Sequence, residues 1–168
     1  VRLGNLIDDL ITIMDLRTGT LAQHIQNKMR RIDDMAQQLQ SLCDEYRLKA
    51  ANEGIEFEAS IPEPLPPLRA APPHLLDAIE RLLSNAVKFT ILKQSSPKFI
   101  HVAASVVNDQ LAIEVYDTGI GFPAHLSEQI FEFLFQYNRE YFEQQGSGSG
   151  LTIARGVARM HGGNTTAT

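Results

Sequence analysis

The sequence predicts a two-layer α/β sandwich, in which a mixed, largely antiparallel sheet is covered on one face by helices. Three observations lead there. Long segments carry apolar residues at helical spacing. Shorter segments alternate apolar and polar residues as half-buried strands do. Two of the short ones, "FIHVAASVV" and "QLAIEVYD", flank Asn108-Asp109, a pair suited to a tight hairpin.

At 168 residues and 43% apolar content, the chain can build one domain with a real core and a small appendage. The net charge of −5 and pI near 5.5 exclude a broad phosphate-backbone interface, so no nucleic-acid partner is expected. A local cationic pocket stays open. The lone Cys43 excludes an internal disulfide framework, and no apolar run reaches membrane-spanning length. A cytoplasmic setting is expected, within a parent that is itself either soluble or membrane-anchored. The chain starts without methionine inside a helical pattern and stops at "GGNTTAT", where a strand begins, so a piece of a longer protein is expected.

Leu3, Leu6, Ile7, Leu10, Ile13 and Leu16 make the first amphipathic helix, which Gly19 ends. "HIQNKMRR" reads as a strand or loop leading to a second helix from Ile32, with Met35, Leu39, Leu42, Cys43 and Tyr46 on one face. Cys43 is then a core residue. Gly54 closes that helix, "IEFEAS" is a strand, and the proline-rich "PEPLPPLRAAPP" is a rigid connector. A third helix runs from about Pro73 to Phe89, and the hairpin follows. After an aromatic-rich stretch, Phe131 to Phe142, "QQGSGSGLTIARGVARMHGG" is a glycine loop opening a last helix.

Three features carry chemistry. "VYDTGIGF" ends a strand in an acid and places Gly119 and Gly121 two positions apart. This removes side chains where a ligand can approach the backbone while Asp117 accepts hydrogen bonds, although a plain strand-ending turn fits the same residues. On the third helix Arg81, Asn85 and Lys88 fall at i, i+4 and i+7 as one polar stripe. That stripe is either a solvated face or an amide oxygen for Mg²⁺ one turn from a lysine for phosphate. Gly146, Gly148 and Gly150 precede the helix beginning near Leu151, and bare amides at a helix N-terminus attract anions. The bland alternative is a flexible glycine-serine linker. The loop has neither the lysine of a Walker motif nor dinucleotide spacing.

Together and in this order, "LLSNAVKFT", "DTGIGF", "IFEFLFQ" and "GSGSGLTIA", with "HGG" closing the last helix, resemble the ATP-binding domain of sensor histidine kinases, in the superfamily shared with gyrase and the mismatch-repair ATPases. "LIDDLITIMDLRTGTL" looks like the end of that family's dimerisation hairpin. The resemblance implies residues 1–20 as the C-terminal part of the hairpin and linker, and 21–168 as the catalytic domain, truncated in its last strands. It implies that Asp117 accepts a hydrogen bond from the adenine amine and that Gly119 and Gly121 let the base approach. Asn85 would hold Mg²⁺, and Lys88, beside Phe89, would offset phosphate charge. Gly146, Gly148, Gly150 and Leu151 would cap the phosphate tail of ATP. The segment from Phe131 to Gly146 would be a lid whose aromatics pack it onto the domain in preference to stacking on the base.

The match departs at named positions. Arg81 stands where relatives carry asparagine or a water-activating glutamate, which counts against gyrase-like hydrolysis; it either touches phosphate or forms an ion pair. Phe133 and Leu134 replace the usual proline and phenylalanine, and Ser149 and Thr152 the usual leucine and alanine. His24, His74, His101, His125 and His161 all lack the acidic neighbour of a phosphate-accepting histidine. His161 reads as a charge or hydrogen-bonding group at a helix end.

The function expected is that of a catalytic domain transferring the γ-phosphoryl group of Mg-ATP to a histidine N-terminal to Val1, unable to phosphorylate itself alone. Its partners would be the histidine-bearing dimerisation domain of the parent, a response regulator and, in the full-length form, a second copy. A nucleotide-sensing or inactive kinase-like module is the alternative; a serine kinase of the anti-sigma type fits the N-terminal segment less well.

Overall fold

The computed structural model describes residues 2–135 and 148–168. They cluster as two compact units, one of residues 1–29, 71–81 and 122–168 and one of 30–70 and 82–121. The helices are α1 (Arg2–Thr18), α2 (Thr20–Lys28), α3 (Met35–Asn52), α4 (Pro72–Leu92) and α5 (Gly150–Met160). The strands are β1 (Arg30–Ile32), β2 (Glu56–Ser60), β3 (Leu68–Ala70), β4 (Phe99–Val107) and β5 (Gln110–Asp117). The predicted mixed α/β fold class holds.

In the second unit β4 and β5 form the expected hairpin, from Ile100 opposite Asp117 to Val107 opposite Gln110. Asn108 and Asp109 turn it with φ of 51° and 61°, the left-handed pair that a two-residue hairpin requires. β2 joins the other edge of β4 in parallel, giving the order β2-β4-β5. Ile100, Val102 and Ala104 point to one buried face, with Phe57 of β2. α3 packs against β2 and buries Met35, Leu39, Cys43, Tyr46 and Ala50, spaced three or four apart. Each such large apolar side chain contributes about 1.5–3 kcal/mol by burial, well above the 0–1 kcal/mol of exposed pairs such as Arg31–Asp33. Burial pushes the Cys43 thiol up to about 11, Arg47 opposing in part, which makes it an inert core residue as expected.

Several elements differ from expectation. "HIQNKMRR" is mostly helix: α2 resumes after Gly19, whose φ of 81° breaks it from α1, and it buries Leu21 and Ile25 one turn apart. Ile32 does not open α3 but ends β1. The proline connector contains β3, pairing antiparallel with β1, because Leu68–Ala70 lie between prolines and keep their own N–H groups. α4 starts one residue earlier and ends three later than predicted.

In the first unit α5 buries Ile153, Ala154, Arg155 and Val157. Arg155, 8% exposed, donates to Glu128 at 2.7 Å and to the Thr165 carbonyl at 3.0 Å, with its guanidinium 3.5 Å above the Phe131 ring. It ties the short turns Ala124–Leu126 and Gln129–Phe131 to α5. Arg155→Ala is expected to cost about 2 kcal/mol in urea unfolding, from lost charged hydrogen bonds and packing. Arg155→Lys should not restore it, since an ammonium cannot reproduce the fork. At the other end of α5, the His161 Nε2 accepts from Ala71 N–H at 3.0 Å while Nδ1 meets the Val157 carbonyl at 2.8 Å. His161 thus serves as a hydrogen-bonding group at the end of α5, one of the two roles expected of it.

Candidate functional site

Asp117 closes β5 opposite Ile100, and Thr118 fixes the exit. The Thr118 hydroxyl accepts from Phe99 N–H at 2.9 Å and donates to the Pro97 carbonyl at 3.0 Å. Beyond it, Gly119 N–H donates to Asp117 Oδ1 at 2.9 Å. A Cβ on Gly119 would lie 2.7 Å from that oxygen and 2.8 Å from both the carbonyl carbon and oxygen of Phe89. Ile120 N–H donates to the same Phe89 carbonyl at 3.3 Å. That carbonyl is available because α4 tightens at its end, where Lys93 N–H turns to Thr90 instead. The acid–glycine turn is therefore folded onto the last turns of α4. Gly121 has φ of 63°, and no described residue lies within 4 Å of a Cβ placed there.

This packing brings Asp117 and Gly119 to Phe89, which follows Lys88 directly and Asn85 by one turn. Burial pushes the Asp117 carboxyl up, with the Gly119 N–H opposing in part. Burial also pulls Lys88 down, and its ammonium sits 4.6 Å from the Phe89 ring centroid. The half-buried Asn85 side chain has no hydrogen bond among the described residues, which leaves its amide oxygen available. No group of three or more His, Cys, Asp or Glu among the described residues could hold a metal. A single neutral amide oxygen is nevertheless a fitting protein ligand for Mg²⁺, which keeps several waters and takes its remaining oxygens from phosphates.

In the first unit, Arg81 Nη1 lies 2.8 Å from Asp9 of α1 and its Nε 2.9 Å from Asp77. Of its two readings, ion pairing is the one observed, and partly buried: the Arg81 and Asp9 side chains are 22% and 15% exposed. Burial pulls the guanidinium down, but Asp77 and Asp9 together outweigh it and leave it raised.

Gly146 and most of the expected lid, residues 136–147, lie outside the described residues. Gly148 has φ of 70°, and Gly150 and Leu151 open α5 at once, as the anion-site reading requires. Ser149, 1% exposed, precedes them without capping the helix with its side chain; its hydroxyl donates to Asp9. Of the expected lid's aromatics that lie among the described residues, Phe131 is buried, and Phe133 lies under Arg17, whose guanidinium is 5.5 Å from its ring centroid. The Thr152 hydroxyl donates to the Phe131 carbonyl at 2.8 Å, so these rings pack within the unit. The sequence reading missed Asp9, Arg155 and the contact of Leu16 with Gly156. Nothing local signals them, since each partner lies far along the chain.

An acid–glycine turn seated on an asparagine helix, and a glycine loop opening a second helix, define an ATPase-type α/β sandwich. Residues 70–168 match the model of the histidine kinase-, DNA gyrase B- and HSP90-like ATPases, and the chain belongs to that family. The adaptive-response sensory kinase SasA of Rippkaea orientalis is 31% identical over 127 residues, 74% of this chain and 31% of the relative. The sensor histidine kinase Hik2 of Thermosynechococcus vestitus is 31% identical over 131 residues, 77% of this chain and 32% of the relative. The structure of full-length ShkA in complex with AMPPNP superposes with a TM-score of 0.79 at 25% identity, covering 98% of this chain and 32% of that one. The chain spans less than half the length of the curated relatives it matches. Among the described residues, no helix is long and apolar enough to cross a membrane.

Proposed function

We propose that this chain is the Mg-ATP-binding catalytic domain of a two-component sensor histidine kinase, with residues 1–20 as the end of a dimerisation hairpin and 21–168 as the catalytic domain. The observation that carries the reading is the seating of Asp117 and Gly119 on Phe89, beside Lys88 and one turn from Asn85. Asp117 accepts the adenine amine, and Gly119 and Gly121 keep side chains out of the base's way. Asn85 would hold the Mg²⁺, which would supply positive charge against the phosphates. Lys88, desolvated and therefore strongly felt, balances their charge. Gly146, Gly148, Gly150 and Leu151 offer backbone N–H groups to the phosphate tail.

A histidine nitrogen outside this chain attacks the γ-phosphorus, the bond to the β–γ bridging oxygen breaks, and ADP leaves. The chain's part is positioning and charge neutralisation. Arg81, held by Asp9 and Asp77, offers no carboxylate to activate water, which favours transfer over hydrolysis. The acceptor belongs to the parent's dimerisation domain, a second copy covers Leu6, Ile7, Leu10 and Met14, which α1 leaves exposed, and a response regulator receives the phosphoryl group.

Incubating the chain with labelled ATP and Mg²⁺, with and without the parent's histidine-bearing domain, tests the reading. Acid-labile, base-stable label is expected only when that domain is present. Label on any of this chain's own histidines, or no nucleotide binding, would overturn it. Asn85→Ala is expected to lose the magnesium-dependent part of ATP affinity while keeping metal-free ADP binding, read by calorimetry with Mg²⁺ or chelator. Equal losses under both conditions would remove Asn85 from the metal.

A further inference from the structure

The proline-rich stretch read from the sequence as a connector contains "PLPPLR", Pro64 to Arg69, with two prolines three apart and an arginine two residues beyond them. Residues 61–67 carry no regular secondary structure, and Leu68–Ala70 follow as β3. Prolines at this spacing suit a polyproline II course, whose three residues per turn put Pro64 and Pro67 on one edge and Leu65 and Leu68 on another. Burial has the same period. Leu65 is 6% exposed and Leu68 is half-buried, whereas Pro64, Pro66, Pro67 and Arg69 are all exposed. The leucine edge therefore anchors the segment, and the proline edge faces solvent. Every peptide bond from Pro64 to Arg69 is trans, the cis Glu63–Pro64 bond lying just ahead of the span.

Arg69 continues this exposed surface into β3, where strand alternation turns it away from Leu68 and the buried Ala70. In the register of β1 and β3 it stands directly opposite Arg31, and like charges so placed repel. Asp33 answers one of the two, accepting from Arg31 Nε at 2.8 Å. The Arg69 side chain has no hydrogen bond or ion pair among the described residues. An uncompensated guanidinium thus sits two residues from an exposed proline edge, where an incoming carboxylate would relieve the repulsion.

We propose that Pro64–Arg69 is a docking site for a partner domain that reads polyproline segments, with an aromatic-lined groove for Pro64 and Pro67 and a carboxylate at its end for Arg69. Prolines have little backbone freedom to lose, so a segment already held extended binds such a groove at low entropic cost. The planar fork of Arg69 meets a carboxylate through two parallel hydrogen bonds and fixes the direction in which the segment lies. The site uses none of the residues assigned to the nucleotide, so docking and ATP binding are separate properties of the chain.

The probe is an isolated SH3 domain that accepts P-x-x-P-x-R peptides through an aromatic groove and an acidic pocket, titrated into the whole chain by calorimetry. Saturable one-to-one binding is expected. Pro67→Ala should weaken it by about fivefold or more, and Arg69→Glu by about tenfold or more. Arg69→Glu also sets an acid opposite Arg31, so its thermal unfolding should be unchanged or raised, which separates lost docking from a lost fold. Against an SH3 variant whose pocket acid is replaced by lysine, the order should reverse, with Arg69→Glu binding more tightly than the wild-type chain. No binding by the wild-type chain, or undiminished binding in either folded variant, would overturn the site. Loss in Arg69→Glu with none in Pro67→Ala would reduce the contact to bare charge attraction and equally overturn it. If Pro67→Ala fails to fold, Arg69→Glu and the charge-swapped probe decide, and an unreversed order there would overturn the assignment of Arg69.

Discussion

Asp117→Ala is expected to weaken ATP and ADP alike by tenfold or more. The carboxylate has acceptor capacity beyond the Gly119 N–H it already engages at 2.9 Å, so one further donor, the adenine amine, can be met at the same group. A hydrogen bond to a charged acceptor is worth about 1.5–3 kcal/mol, and roughly 1.4 kcal/mol is tenfold in affinity. A contact to the base predicts the same loss for both nucleotides, independent of Mg²⁺. Titration calorimetry with ATP and ADP checks this, and unchanged affinity in a folded variant would remove Asp117 from the site.

The same group predicts a pH dependence. Burial raises the Asp117 carboxyl, so the native chain holds that proton to higher pH than the unfolded chain does. Its contribution to stability is present below the ordinary carboxylate value and declines as pH rises through the raised one. Nucleotide affinity runs the opposite way. An ionised carboxylate accepts from an amine more strongly than a protonated one, so on the proposed reading binding should strengthen with pH over that window. In Asp117→Asn, which has no proton to lose, this dependence should flatten.

What was legible in the sequence follows the range of the interactions involved. The Asn108-Asp109 hairpin could be read because a two-residue turn with positive φ is a local demand on residue type. The seating of α5 on its glycines could be read for the same reason. β3 could not, since prolines on either side mask three residues whose pairing partner is β1, far back in the chain. α2 was obscured by polar residues, and its helical character rests on Leu21 and Ile25 finding a core. Asn85, Lys88, Asp117 and the glycines were visible as patterns, but not the close approach of Gly119 to Phe89. Arg81 and Ser149 stood out only as oddities. Asp9, separated from Ser149 by 140 residues, carried no signal that linked them.

Gly119→Ala is the substitution expected to do most damage to the site, and Gly121→Ala is its control. The two glycines look equivalent in "DTGIGF", but they are required for different reasons. At Gly119 a methyl group would come within 2.8 Å of the Phe89 carbonyl and 2.7 Å of the Asp117 carboxylate. The carbonyl is backbone near the end of a helix and cannot swing aside as a flexible side chain would. Relief therefore requires the turn to lift from α4, which breaks the Gly119 and Ile120 N–H contacts and misplaces Asp117. Overpacking of this kind costs about 1–3 kcal/mol, and the displaced acid adds a loss of nucleotide affinity of at least the tenfold expected for Asp117→Ala. At Gly121 no described residue lies within reach of a methyl group, and the φ of 63° is what resists it. A residue forced into that region costs of order 1 kcal/mol without moving Asp117. Thermal unfolding and nucleotide titration on both variants separate the effects. Gly119→Ala should lose stability and binding together, and Gly121→Ala should lose stability while retaining most of its binding. Equal binding losses would mean that left-handed geometry at Gly121, rather than close approach at Gly119, shapes the adenine end of the site.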